Sequence, residues 1–271
     1  MTTATVALPS TFSLGLARGR VELRRFFRQK EAVVFTFSMP AFLLVLLGSI
    51  FDGTHEGTGV SAGQLFAAGM IGSGIVSTSF VNMGTGVVFD REDGTLKRLR
   101  GAPVPAGAYF LGKIMLVAVA GLAEVVLLLV VGALLFGLKL PATPEKWLTL
   151  GWIFVLAATS CSLLGIAASA VARSATGAAA LMNLLYVGFQ FISGVFVTPI
   201  TVLPDAMVDF ASFFPVKWIC QGLRSVFLPE SMASYELAGT WELGKVALVL
   251  GAWCVVGVVL CRLTFRWTDD R

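Results

Sequence analysis

Residues 109–136 read YFLGKIMLVAVAGLAEVVLLLVVGALLF, a run whose only charges are Lys113 and Glu124. Crossing the hydrocarbon core of a bilayer takes about 20 predominantly apolar residues, and this run exceeds that. It has no polar face of the kind a helix at the surface of a soluble protein keeps towards water. Working outward, five further runs reach spanning length, at 33–51, 63–88, 148–171, 176–197 and 243–263. The composition agrees, with 56% hydrophobic and 13% charged residues in 271 and a mean hydropathy of +0.85. A soluble domain carries roughly a quarter charged residues, and one this poor in charge would expose a mostly apolar surface. The fold class expected is therefore an all-α membrane protein of six transmembrane helices, forming a single domain over 1–271.

A further apolar stretch, 206–228, is interrupted by Pro215 and carries Asp209, Lys217 and Arg224. It reads as two short helices dipping into the outer interface, within a re-entrant segment spanning 198–228. The basic residues orient the chain. With the N-terminus inside, fifteen of the twenty Lys and Arg residues fall on the inner side. Lys139, Lys146, Lys217, Arg224 and Lys245 fall outside. Both termini are expected in the cytoplasm. Trp147, Trp152, Trp218 and Trp241 are expected at the outer boundary and Trp267 at the inner one, as an aromatic belt. The first apolar run starts after about 32 residues and is long enough to stay as an anchor, so no cleavable signal peptide is expected.

The four cysteines, Cys161, Cys220, Cys254 and Cys261, show no CxxC pair or metal-ligand spacing, and His55 is the single histidine. No metal site is expected. No HExxH, paired acids or Ser–His constellation is visible, so the chain is not expected to be an enzyme. Nothing points to nucleic acid. GAYFLGKI, residues 107–114, nearly matches a phosphate-binding GxxxxGK[ST] loop. Ile114 stands where the magnesium-ligating hydroxyl would be, and no strand precedes it. Lys113 is expected to snorkel to the inner interface instead.

Three regions remain that could carry function. In 12–30, Phe12, Leu16, Leu23 and Phe26 recur at helical spacing, and Arg20, Arg24 and Arg28 form a second row. This predicts an amphipathic interfacial helix with its bases towards acidic headgroups, or a generic basic anchor. In DREDGTLKRLRGAP, residues 90–103, Asp90 is expected to cap a short helix stopped by Pro103 and Pro105. Leu96 and Leu99 share one face of it. Such a rod could dock in a partner's groove, or be an ordinary solvated loop. Third, Glu124 sits deep in a span, where acids are costly and face a bundle interior. It reads as lining a transport path or dimer seam, or as a helix–helix hydrogen bond. Asn82, Asn183, Tyr186 and Gln190 read the same way. The small residues Gly69, Gly72, Gly74, Ser160, Ser162, Gly165 and Ser169 favour close helix packing.

Two stretches carry a family resemblance. FDREDGTLKRLRGAPVPAGAYFLGK resembles the cytoplasmic loop of the ABC type-2 exporter permeases, with its R-E-x-G-T-L-x-R-L-R pattern. FISGVFVTPITVLPDAMVDFASFFPVKWICQGLR, residues 191–224, is similar to the family's outer segment. The order of elements agrees over nearly the whole chain. The resemblance, which extends to daunorubicin-resistance and lipo-oligosaccharide exporters, implies a bacterial inner-membrane permease of an ATP-driven exporter. It implies as partners a cytoplasmic ATPase chain, which would hold ATP and Mg, a second permease copy, and membrane lipid. On the matched positions, Asp90, Arg91, Glu92, Gly94, Thr95, Leu96 and Leu99 would form the ATPase-coupling element in the 89–108 loop. Pro199, Pro204, Phe214, Pro215 and Arg224 would belong to an outer gate. An amphiphilic cargo (a drug, natural product or lipid-linked molecule) fits spans with few charges. The alternative is a stand-alone secondary transporter or channel using Glu124.

Overall fold

The computed structural model describes residues 10–51, 53, 58–102, 104–197 and 199–265. His55, Pro103, Arg266, Trp267 and Arg271, and the start of the 198–228 segment, lie outside the described residues. Among those described there is no strand, and six helices are long and apolar enough to cross a membrane. The chain is an all-α, multi-pass membrane protein.

The first helix, α1 (Thr11–Arg28), starts at Ser10, whose hydroxyl accepts from the Ser13 amide. It is followed by α2 (Lys30–Ile50) and then by one long rod. That rod is α3 (Ala62–Val76), a π turn (Ser77–Val81) and α4 (Asn82–Glu92). After α5 (Thr95–Arg100) come α6 (Ala106–Phe136), α7 (Pro144–Ala168) and α8 (Ala175–Ile192). Two short helices, α9 (Asp205–Phe213) and α10 (Pro215–Phe227), precede α11 (Leu243–Thr264).

Hydrogen bonds between helix ends show that α6 and α8 each run antiparallel to the α3–α4 rod. The Glu92 carboxylate at the end of α4 accepts from the first amide of α8 at 2.8 Å. At the opposite end, Gln64 near the start of α3 donates to the Gly137 carbonyl after α6 at 2.9 Å. The α3–α4 rod is the axis: 89% of its most apolar window is buried, against 17% for α2 and α11. In a bilayer, apolar faces need not be covered by protein, so peripheral helices keep theirs for lipid.

The rod's π turn has a local cause. Thr78 Oγ1 donates to the Gly74 carbonyl at 3.0 Å, and Ser79 Oγ donates to the Ile75 carbonyl. Hydroxyls that compete for helix carbonyls widen the turn. Against it α7 approaches closely at Gly165, where a Cβ would stand 2.5 Å from the Phe80 carbonyl oxygen. The fifth span stops at Ile192, earlier than the expected limit of 197, because the chain turns at Gly194 with φ of +77°.

The packing refines three expectations. In α1 the buried face is Gly15, Gly19, Glu22 and Phe26, while Phe12 and Leu16 are exposed. Gly15 and Gly19 admit Leu111 and Met115 of α6, so α1 docks on the third span through a glycine face. The re-entrant segment does not merely touch an interface: every residue of α10 is buried, against α3, α7 and α11. Trp218 and Trp241 are buried rather than in a lipid-facing belt, their indole N–H groups donating to the Ser212 carbonyl and the Glu230 carboxylate.

Candidate functional site

The turn that ends the α3–α4 rod gathers the charges of the bundle's α5 end. Asp90 does not cap a short helix. It lies in the last turn of α4, fully buried, because α4 continues to Glu92. Its carboxylate accepts from Arg25 at 2.7 Å, sits 2.6 Å from Lys113 Nζ and accepts from the Tyr109 hydroxyl at 3.1 Å. Lys113 also pairs with Glu22 at 2.9 Å, and Arg18 pairs with Glu22 one turn before it. Lys113 is thus buried in an ion network and does not snorkel. Opposite charges packed this closely satisfy one another, whereas any of them alone would be costly to bury.

The next three residues each tie α4 to another element. Arg91 Nη1 reaches the Ser169 carbonyl after α7 at 3.4 Å. Glu92 sits at the first turn of α8, where a helix N-terminus favours negative charge. Asp93 accepts from the Thr95 amide at 2.8 Å and from Arg25 at 3.3 Å, holding the start of α5. Partial burial would raise the Asp93 pKa, but the Thr95 hydrogen bonds and the charges of Arg25 and Arg98 outweigh it and hold it below the ordinary carboxylate value. Gly94, at φ +75°, makes the reversal between rod and α5.

Leu96 was expected as an apolar docking knob, and the structure overturns that. It is fully buried within the chain, while Leu99 lines a crevice of about 220 Å³ with Leu14, Val21 and Tyr109. The face of α5 left exposed is basic and includes Lys97 and Arg98. The 107–114 stretch forms the first turns of α6, with Gly112 packed on Arg18, so it is not a phosphate loop.

A cavity of about 280 Å³ opens beside the ion network, between α1, α2, α4, α6 and α8. Glu22, Arg25, Asp90 and Lys113 form its charged side, and Phe26, Ala32 and Leu116 its apolar side. Asn82 lines it one level further in.

The five polar residues expected along a path or seam therefore separate. Glu124, Tyr186 and Gln190 are buried in the core; Asn82 belongs to the cavity; Asn183 lies exposed on α8 and donates to the Ala179 carbonyl at 2.8 Å. Tyr186 and Ser73 share a hydrogen bond of 2.7 Å across α8 and α3. Glu124 is fully buried against Gly74, where a Cβ would stand 2.9 Å from its Cδ. Neither oxygen of its carboxyl has a hydrogen-bond partner among the described residues, nor has Gln190 Oε1. Glu124 is therefore not the helix–helix hydrogen bond that its position allowed.

At the other end, Arg224 is a clamp. It makes a bidentate pair with Glu236 at 2.6 and 3.0 Å, and donates to the Gly194 carbonyl at 3.1 Å. Pro199 lines a small crevice beside it, Pro204 precedes α9, and Pro215 starts α10. Phe214, between those helices, stacks on Trp253 of α11 at 5.8 Å.

Sequence reading missed Arg18, Glu22, Arg25 and Tyr109. One signal was available: Glu22 is the single acid within 12–30 and follows Arg18 by four residues. No curated protein matches the chain. The ABC-2 type transporter family matches residues 17–228. That match takes in most of α1, the first five spans, α5 and both re-entrant helices, including every member of the ion network, and the chain therefore belongs to the ABC-2 type transporter family as a membrane transport subunit.

Proposed function

We propose that this chain is the permease of an ATP-driven exporter that moves an amphiphilic molecule out of the cytoplasm or the inner leaflet. The α5 end faces the cytoplasm of a bacterial cell, and a separate ATPase chain holds ATP and Mg. The observation that carries this reading is the wiring of residues 90–93, which joins α5 to α1, α6, α7 and α8. A push on α5 would reach those helices through buried charges and hydrogen bonds, without passing through a flexible loop. The ATPase would dock on the exposed basic face with Lys97 and Arg98. Asp90 to Leu99 would transmit the movement.

The 280 Å³ cavity suits the cytoplasmic end of such a route. Its charged side can meet a polar head and its aromatic and aliphatic side an apolar body. A second permease copy would complete the route, with the exposed α8 face bearing Asn183 at the seam. The outer segment with Pro199, Pro204, Phe214, Pro215 and Arg224 would close its exit. The test is copurification with an ATPase chain and measurement of its hydrolysis rate. Stimulation by the wild-type permease, lost in Lys97→Glu/Arg98→Glu, is expected. A hydrolysis rate indifferent to the permease and to both substitutions would sink the coupling role. Leu96→Asp is unsuitable, because Leu96 is buried and the change would unfold α5.

The second reading, a stand-alone transporter, draws on the unpartnered carboxyl of Glu124. Solute flux through vesicles holding this chain without ATP, abolished by Glu124→Gln, would favour it.

A further inference from the structure

Away from the charged cavity, a second and larger hollow of about 570 Å³ opens between α4, α6, α7 and α11. Its wall is apolar, built from residues such as Phe110, Phe154, Ala158 and Ile166, and among the described residues it carries one charged side chain, Arg262. Arg262 lies in the last turn of α11, is exposed, and has no ion pair with any described residue.

We infer that this groove holds one acyl chain of an anionic phospholipid from the leaflet at the α5 end, with the headgroup phosphate on Arg262. Three observations carry this. The first is depth: the lining runs from Ala106 to Ala118 on α6 and from Ile166 back to Phe154 on α7. Twelve helical residues rise about 18 Å, close to the roughly 15 Å of one leaflet's hydrocarbon. The second is direction. Ala106 begins α6 and Phe265 follows the end of α11, and both line the groove, so its mouth lies at the bundle end where headgroups sit. The third is charge. Arg262 is placed at that mouth, where a guanidinium binds phosphate by two parallel hydrogen bonds. No side chain caps the start of α6 beside it, so the amide dipoles there add to the positive potential. A groove this apolar suits an acyl chain, and the bilayer supplies chains of matching length.

This lipid is a resident of the permease, separate from its cargo, so the inference stands whether or not the chain exports anything. The experiment uses the full chain with whatever subunits copurify, reconstituted in phosphatidylcholine nanodiscs. A small fraction of diazirine-acyl phosphatidylglycerol or, in parallel, diazirine-acyl phosphatidylcholine is included, and adducts are mapped by peptide mass spectrometry. Phosphatidylglycerol is expected to label the α6 and α7 walls of the groove about fivefold more than phosphatidylcholine, the factor that one basic residue at a membrane surface supplies. Arg262→Gln, at an exposed position, should erase that preference without unfolding the protein. Ala118→Trp should abolish groove labelling by both probes while lipid-facing α2 remains labelled. Equal labelling by the two probes in the wild type would mean bulk lipid only and would overturn the inference. So would groove peptides found crosslinked to a second copy of the chain, since the face would then be a subunit contact.

Discussion

Glu124 and Asp90 are both fully buried acids, and their surroundings give them opposite energetics. Asp90 is held by three cations, Arg18, Arg25 and Lys113, and a tyrosine hydroxyl, whereas the Glu124 carboxyl has no hydrogen-bond partner among the described residues. Removing one member of a buried ion network leaves the rest uncompensated, at a cost of about 3 kcal/mol or more. We therefore expect Asp90→Ala to lower the unfolding midpoint in detergent strongly. A buried polar group without a partner costs about 1–3 kcal/mol, so Glu124→Met, which keeps the volume, should leave stability unchanged or raise it. A clear loss of stability in Glu124→Met would show that the carboxyl has a partner in the folded assembly, such as a second copy. Transport assayed on the same variant separates a role in the path from a role in packing.

At the scale of elements, the close crossing of α7 over the π turn depends on Gly165. A side chain there would meet the Phe80 carbonyl, which is backbone and cannot swing aside. Gly165→Val should cost about 1–3 kcal/mol, as overpacking does, and its amide hydrogen exchange should quicken around Ser77–Val81 first. The hold on α5 is pH-sensitive through Asp93. Its folded-state pKa is depressed, so its contribution is complete above the ordinary carboxylate value of about 4 and is lost as pH falls through the lower folded value. Acidification below about pH 4 should therefore speed exchange at the Thr95 amide relative to the mid-span amides. Asp93→Asn should show the faster exchange at neutral pH and remove the pH step.

Across the whole molecule, charged clamps sit at both ends of an apolar bundle. The Asp90 network closes the α5 end, and Arg224 with Glu236 closes the other, holding α10 to the turn after α8. Between them the helices meet through a core of Leu, Ile, Val and Met side chains, with close approaches at Gly74, Gly84 and Gly165. Arg224→Ala would strand the buried Glu236, at a cost of about 3–5 kcal/mol. It should release α10 from the bundle, read as new reactivity of the buried Cys220 with a membrane-permeant thiol reagent. Unchanged protection of Cys220 would mean that α10 is held by its apolar packing alone.

Hydropathy by itself determined that this is a six-span helical membrane protein, because an apolar run of spanning length has one stable home. The paired motifs at 90–103 and 191–224 identified the family, since they lie in the right order along the chain. Local pattern went wrong where a residue's neighbour comes from far along the sequence. Leu96 on a charged helix looked like an exposed knob, and Lys113 near a span end looked like a snorkelling base. Asp90 before Gly94 looked like a helix cap. Each is buried, Asp90 and Lys113 because α1 docks through Gly15 and Gly19 and brings Glu22 and Arg25 against them, and Leu96 because α5 folds back beside the end of α4. Periodicity reports which residues share a face of one helix. Only the tertiary structure decided which face meets protein and which meets lipid: in a bilayer both are apolar, so hydropathy cannot tell them apart, and the meeting of Arg25, Asp90 and Lys113 comes from three separate stretches of chain.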